Sequence, residues 1–188
     1  MAAVAVAADP KAVKASVKEG GKKGVDMCGM SDLGGVKFFT ITLETPNGDM
    51  QLMDAVLEGM NAEVDESAEE RKGGAGALGK MLLSAGDKQL AVVCHVPKAL
   101  QESNSSFSLK EWVKVVVDAT GAEVTEEGEE LVRIVAAANA DKGAFPLKMR
   151  DTAQNESVAY LRKKGLLPDD DSDSDDMPPN AEDFGVAW

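Results

Sequence analysis

The fold of this 188-residue chain is decided by one apolar stretch, Leu90-Ala91-Val92-Val93-Cys94-His95-Val96, which ends at Pro97. Its β-branched residues and the proline at its end predict a strand. Another strand is predicted at residues 36–44, where β-branched and aromatic residues precede the turn Pro46-Asn47-Gly48. We expect residues 90–96 to be the central strand that the rest of the domain shares.

Helices are predicted on both sides of this strand. Asp49 is a good N-cap for a helix with one apolar face, formed by Leu52, Met53, Val56, Leu57 and Met60. Ser108 is a good N-cap for a helix that carries Leu109, Trp112, Val113, Val116 and Val117. Short helices are predicted at residues 77–85, 130–138 and 155–164. Residues 144–149 are predicted to form an edge strand, because Pro146 cannot donate a ladder hydrogen bond.

Two stretches of the chain resemble each other in pattern. Residues 61–66 parallel residues 121–126, and residues 84–88 parallel residues 138–142. The pattern predicts an α/β fold: a small mixed sheet with helices on one face, built from two copies of a strand-helix-helix unit, plus flexible termini. Residues 34–167 would form this duplicated α/β domain.

The termini differ from the middle of the chain in charge. Asp9-Pro10 predicts a helix start, and Gly20-Gly21 predicts its end, so residues 1–33 read as a basic, partly helical arm. Residues 168–188 read as an acidic, disordered tail with an apolar tip. The partner-binding residues expected in these two segments are Lys11, Lys14 and Lys18 in the arm and Phe184, Val186 and Trp188 at the tip.

Charge and cysteine content limit the classes of partner. The chain has 33 acidic and 20 basic residues, a formal net charge of -13, which disfavours nucleic acid and anionic membranes. Cys28 and Cys94 are far apart, which favours the reducing cytoplasm. No run of residues has the length of a membrane span. We therefore expect protein partners, no nucleic acid and no membrane.

One glycine-rich run matches two phosphate-binding patterns. Gly74, Gly76, Gly79 and Lys80 fit both G-x-x-x-x-G-K and G-x-G-x-x-G. The Ser or Thr that a P-loop needs for Mg²⁺ is replaced by Met81, and no apolar strand precedes the run. We interpret the run as a linker that mimics these motifs.

Other chemistry lacks support in the sequence. His95 is the single histidine, the two cysteines lack metal-ligand spacing, and the acidic run at residues 169–176 has Asp176 where a calcium loop needs glycine. The expectation is a protein with no cofactor, no metal and no catalytic activity.

Residues 108–151, with a helix, an acidic turn, a short helix and the closing Ala144-Phe145-Pro146-Leu147-Lys148-Met149-Arg150-Asp151, resemble part of the amino-terminal region of sperm-associated antigen seventeen. Residues 52–96 resemble it less clearly. That large protein scaffolds a projection of the central-pair microtubules in motile cilia. In algal cilia a small separate subunit accompanies it, and this alanine- and glycine-rich chain is similar to such a subunit. The resemblance implies a structural axonemal role beside a long central-pair scaffold protein.

The leading hypothesis is therefore a non-catalytic assembly subunit that binds other proteins, cytoplasmic and cytoskeletal, in the axonemal central apparatus of cilia or flagella. One alternative is a nucleotide-binding enzyme or switch that uses residues 74–80. The other is an acidic adaptor or chaperone for a basic client.

Overall fold

A computed structural model describes residues 8–167 of the protein. The predicted acidic tail at residues 168–188, with Phe184, Val186 and Trp188, lies outside the described residues.

The described chain alternates helices and strands, beginning with a long helix. In chain order the elements are α1 (Pro10–Gly34), β1 (Phe38–Thr42), α2 (Met50–Asn61), β2 (Gly79–Ala85), β3 (Gln89–His95), α3 (Lys98–Ser103), α4 (Leu109–Thr120), β4 (Glu123–Glu127), β5 (Leu131–Ala137), a 3-10 turn (Ala140–Lys142) and α5 (Pro146–Lys163). The predicted strand at residues 36–44 and the two helices capped by Asp49 and Ser108 are confirmed as β1, α2 and α4.

The strands form one five-stranded mixed sheet in the order β1-β2-β3-β5-β4. β1 and β2 are parallel and are joined through α2, whereas the other neighbouring pairs are antiparallel. β3 occupies the middle of the sheet, as the apolar stretch predicts. Because its side chains point alternately to the two faces, Leu90, Val92 and Cys94 enter one core cluster and Ala91 and Val93 the other.

Helices cover both faces of the sheet, so the prediction of helices on one face is wrong. α4 and α5 supply one cluster, in which Trp112 Nε1 donates a hydrogen bond of 2.8 Å to Ser157 Oγ. α1 and α2 supply the other cluster, with Met27 and Met53 fully buried. A sheet that is buried on both faces needs a layer of helices on each, and the nearly continuous burial of β2 and β3 reflects this.

The predicted two-copy unit is not confirmed, because both segments predicted as short helices in residues 77–85 and 130–138 are strands. β2 is buried along Gly79–Ser84 on both faces, and such an apolar run shows no strand alternation. β5 does alternate, since Val132, Ile134 and Ala136 are buried and their neighbours are more exposed. The acidic segment before it forms β4.

Residues 144–149 are not a strand, since α5 begins at Pro146 and ends at Lys163. It therefore includes all but the last residue of the short helix predicted at residues 155–164. Proline suits the first turn of a helix as well as a sheet edge, because neither position needs its missing N–H. The closing strand that contributed to the resemblance is therefore the start of a helix.

The first helix does not end at Gly20-Gly21 but continues to Gly34. Gly20, Gly21 and Gly24 are buried in α1, and a methyl group at Gly20 would overlap the carbonyl oxygen of Val56 in α2. These glycines let the two helices approach closely, and that packing outweighs their poor helix propensity.

Candidate functional site

A groove of about 730 Å³ runs between α4 and the edge of the sheet. Leu109, Val113 and Val117 of α4 form one wall, and Val124 of β4 and Val132 of β5 form the other wall and the floor. Val124 is 42% exposed although it is apolar. The rim carries charges of both signs, supplied by Lys110, Lys114, Glu127 and Glu129. An apolar floor with a charged rim is typical of a surface that binds a protein segment.

The groove opens beside an edge strand. In the described part of the chain β4 pairs with β5 alone, and all five residues of β4 are exposed. An edge strand keeps one row of backbone N–H and C=O groups free for another strand. The groove therefore combines apolar side-chain contacts with backbone hydrogen-bonding capacity.

The glycine-rich run has a different structure from a phosphate-binding loop. It leads into a strand, β2, whereas phosphate-binding loops lead into a helix. Gly73 and Gly74 have φ of 80° and 86°, and their N–H groups donate to the carbonyls of Gly21 and Ala62, each at 2.8 Å. These backbone donors hold the loop against α1 and α2, so they are not directed at a ligand.

Lys80 is the most unusual polar residue of the described chain, since its side chain is fully buried. Its Nζ donates to Asn61 Oδ1 and to the Ala75 carbonyl at 2.8 Å, and it lies 3.4 Å from His95 Nδ1. Desolvation by burial lowers the pKa of Lys80 to about 7. Burial and the neighbouring Lys80 lower the pKa of His95 to about 4, so this imidazole is neutral at pH 7. The lysine thus joins α2, the glycine-rich loop and β3.

A second cleft, of about 460 Å³, lies between α1 and the glycine-rich loop. It contains Cys28, Asp32, Lys37 and Arg71. Burial and then Asp32 raise the pKa of Cys28, so the thiol is protonated at neutral pH and is a poor nucleophile. Lys37 Nζ donates to Ser31 Oγ at 3.1 Å. The charged groups of this cleft therefore do not form a pair of an activated nucleophile and a base.

The residues singled out from the sequence do not converge on one site. Lys11, Lys14 and Lys18 are exposed on α1 and face solvent along its length. Gly74, Gly76, Gly79 and Lys80 lie together, but as structural parts of the loop and β2. The α4–β4 groove was missed, although Val124, an apolar residue among glutamates, could have indicated it.

No protein-family model matches the chain, and no curated protein is significantly similar to it.

Among residues 8–167 no cluster of three or more histidine, cysteine, aspartate or glutamate side chains has the arrangement of a metal site. None of the helices in the same range combines the length and apolar character needed to cross a bilayer.

Proposed function

We propose that the protein is a non-catalytic assembly subunit that binds another protein in the α4–β4 groove. One observation carries the proposal: an apolar groove with a charged rim lies beside a sheet edge that no other strand of residues 8–167 covers. Burying Val117 and Val124 under a partner would remove exposed apolar area from water, which is the main favourable term in protein association.

The geometry favours this function over the nucleotide-binding alternative. A phosphate-binding loop needs free backbone N–H groups and a mobile lysine. Here the N–H groups of Gly73 and Gly74 are used within the fold, and Lys80 Nζ is held by Asn61 and Ala75. Opening the loop to bind phosphate would break these contacts.

We further propose that the assembly is the central apparatus of a ciliary or flagellar axoneme, with a long scaffold protein as partner. This step rests on the resemblance of residues 108–151 to the amino-terminal region of sperm-associated antigen seventeen. The helix after Ser108 agrees with that resemblance, whereas the predicted short helix and closing strand are β5 and the start of α5. The step is independent of the groove, because a groove of this kind suits protein partners in any assembly.

Site-specific photo-crosslinking tests the proposal. A photoreactive amino acid is placed at Val124, or at Leu147 as a control, because Leu147 is also apolar and exposed but lies on α5. We expect position 124 to crosslink to one defined protein segment in extract of flagellated cells and position 147 not to do so. Identification of that segment by mass spectrometry names the partner and tests the axonemal step.

A matched pair of variants tests whether the groove supplies the affinity. The double change Val117→Ser and Val124→Ser should weaken binding of the identified partner by about tenfold or more, since two apolar contacts are lost. Leu147→Ser should leave the affinity unchanged. Equal crosslinking at positions 124 and 147, or full affinity in the double variant, would contradict the proposal.

A further inference from the structure

The two faces of β4 differ in chemistry. Val124 pairs with Ile134 and Glu127 pairs with Val132, so these side chains lie on the α4 face, beside the groove. Glu123 pairs with Val135 and Glu126 with Arg133, after an irregularity in the register between Val124 and Glu126. Those two glutamates therefore lie on the α2 face. On the α4 face, a strand next to β4 meets Val124 and the apolar groove, with Glu127 at the end of β4. On the other face it meets the acidic side chains of Glu123 and Glu126.

The charge of this edge restricts which strand can pair with it. The β4–β5 hairpin carries five exposed glutamates, Glu123, Glu126, Glu127, Glu129 and Glu130. Arg133 is the one basic residue of the hairpin, and it is already paired with Asp54 of α2 and with Glu126. The hairpin thus has a net negative charge, whereas Lys110 and Lys114 lie on the α4 side of the groove. A complementary strand therefore carries its positive charge on the face that points away from α4.

The same charge excludes two other occupants. A second copy of this chain would place glutamates opposite glutamates if the two β4 edges paired, which is unfavourable. The chain's own residues 168–188, including Phe184, Val186 and Trp188, contain no lysine or arginine, and residues 169–176 are acidic throughout apart from Ser172 and Ser174. This segment therefore offers the hairpin no complementary positive charge. The occupant is therefore a basic segment of a different protein.

We propose that β4 is a docking strand, to which an extended segment of another protein adds as a sixth strand with apolar residues alternating with Lys or Arg. The proposal rests on the proposed function and deepens it by specifying the partner's chemistry. The apolar side chains of the segment enter the groove between Val117 and Val124. Its basic side chains, which point to the other face, contact Glu123 and Glu126, while its backbone pairs with the free edge of β4.

Synthetic peptides test the alternation directly. The probe is the capped peptide Leu-Lys-Val-Lys-Leu-Lys-Val, and its matched control is the block arrangement Lys-Lys-Lys-Leu-Leu-Val-Val, which has the same composition. A third peptide has glutamate in place of each lysine. With the full chain, we expect the alternating basic peptide to bind at least tenfold more tightly than the block peptide, and the glutamate peptide not to bind.

Variants of the protein locate the contact. Glu123→Lys should weaken binding of the alternating peptide about tenfold and allow the glutamate peptide to bind. Glu156→Lys makes the same charge change at an exposed residue of α5, and it should change neither affinity. Glu123 is exposed, so the substitution is compatible with folding, and an unchanged melting temperature verifies this.

Backbone pairing is tested by N-methylation of the peptide. In a strand, alternate N–H groups point to opposite edges, so methylation at the odd or at the even positions removes the donors of one edge only. One pattern should abolish binding and the other should leave it largely intact. Equal effects of the two patterns, or equal affinity of the alternating and block peptides, would overturn strand addition. The proposed function would still stand without strand addition if the native partner crosslinks at position 124 and the Val117 and Val124 substitutions weaken its binding.

Discussion

At the scale of single residues, Lys80 shows how a charge is accommodated inside the protein. Its side chain is fully buried between the sheet and the α1–α2 layer. The amine donates to Asn61 Oδ1 and to the Ala75 carbonyl, and it lies 3.4 Å from His95 Nδ1. These contacts offset part of the cost of burial, but the pKa of Lys80 still falls to about 7 through desolvation.

This shift predicts a pH-dependent stability. Between pH 7 and the unfolded value of 10.5, the unfolded state binds a proton at Lys80 that the folded state has released. The free energy of unfolding should therefore rise with pH above 7, by at most about 1.4 kcal/mol per pH unit. Urea denaturation at pH 7.0, 7.5 and 8.0 should show this slope in the wild type and a smaller slope in Lys80→Met.

The matched control is Lys88→Met, because Lys88 is exposed. It should retain the wild-type slope. All three proteins carry the same cysteines, so the difference in slope isolates Lys80. A slope in Lys80→Met equal to that of the wild type would show that Lys80 is not responsible.

At the scale of elements, the contact between α1 and α2 depends on glycines on both helices. A methyl group at Gly59 of α2 would overlap the carbonyl oxygen of Val17 in α1, and Gly20 of α1 has the reciprocal relation to Val56 of α2. The two carbonyl oxygens that these methyl groups would overlap belong to the helix backbones, so they cannot move unless the helices separate. The close approach is thus encoded by the absence of a side chain.

We expect Gly59→Ala to destabilise the protein by about 2–4 kcal/mol, because the helices must separate to admit the methyl group. Gly29→Ala is the control, since Gly29 is a helical glycine of α1 with open space where its Cβ would lie. Alanine is the better helix former, so this control should stabilise the protein by up to about 1 kcal/mol. Denaturation in urea measures the free energy of unfolding of both variants. If both substitutions change it in the same direction, the packing explanation is wrong.

At the scale of the whole molecule, the two core clusters are joined by the central strand. Val93 contributes to the cluster under α1 and α2, and its neighbours Val92 and Cys94 contribute to the cluster under α4 and α5. Disturbing one cluster should therefore unfold the other. We therefore expect residues 34–167 to unfold as one cooperative unit, and α1 to unfold with them because Met27 is fully buried in one of the cores.

Val93→Asp tests this coupling from the opposite side of the sheet. An unpaired carboxylate at this fully buried position costs several kcal/mol, a large share of the stability of a typical domain. In a Trp188→Phe background, Trp112 fluorescence reports on the other cluster, and its thermal transition should be lost or shifted strongly downward. Val124→Asp, the same change at an exposed site, should shift it little. An unaffected Trp112 transition in Val93→Asp would mean two independent cores.

The elements that the sequence predicts correctly are those with local signals. Asp49 accepts hydrogen bonds from the N–H groups of Gln51 and Leu52, and Ser108 from that of Glu111. These caps lie within three residues of their partners, and the apolar faces of α2 and α4 follow helical spacing. β3 is equally clear, because seven consecutive residues favour a strand.

The elements that the sequence predicts wrongly depend on distant partners. β2 is a strand because it lies between β1 and β3, and Leu82 pairs with Ile41 and Val93. The α4–β4 groove arises because β4 occupies the free edge, and no local pattern states which strand lies at an edge.

By itself, the sequence of this protein determined an α/β fold around the strand at residues 90–96, and helices beginning after Asp49 and Ser108. Only the tertiary structure decided that α1 passes through Gly20 and Gly21, that helices cover both faces, and that a groove opens beside β4. The physical reason is the range of the interactions: caps and amphipathic spacing act within one or two turns. Strand pairing and close helix packing instead depend on groups that the fold brings together from far apart in the chain.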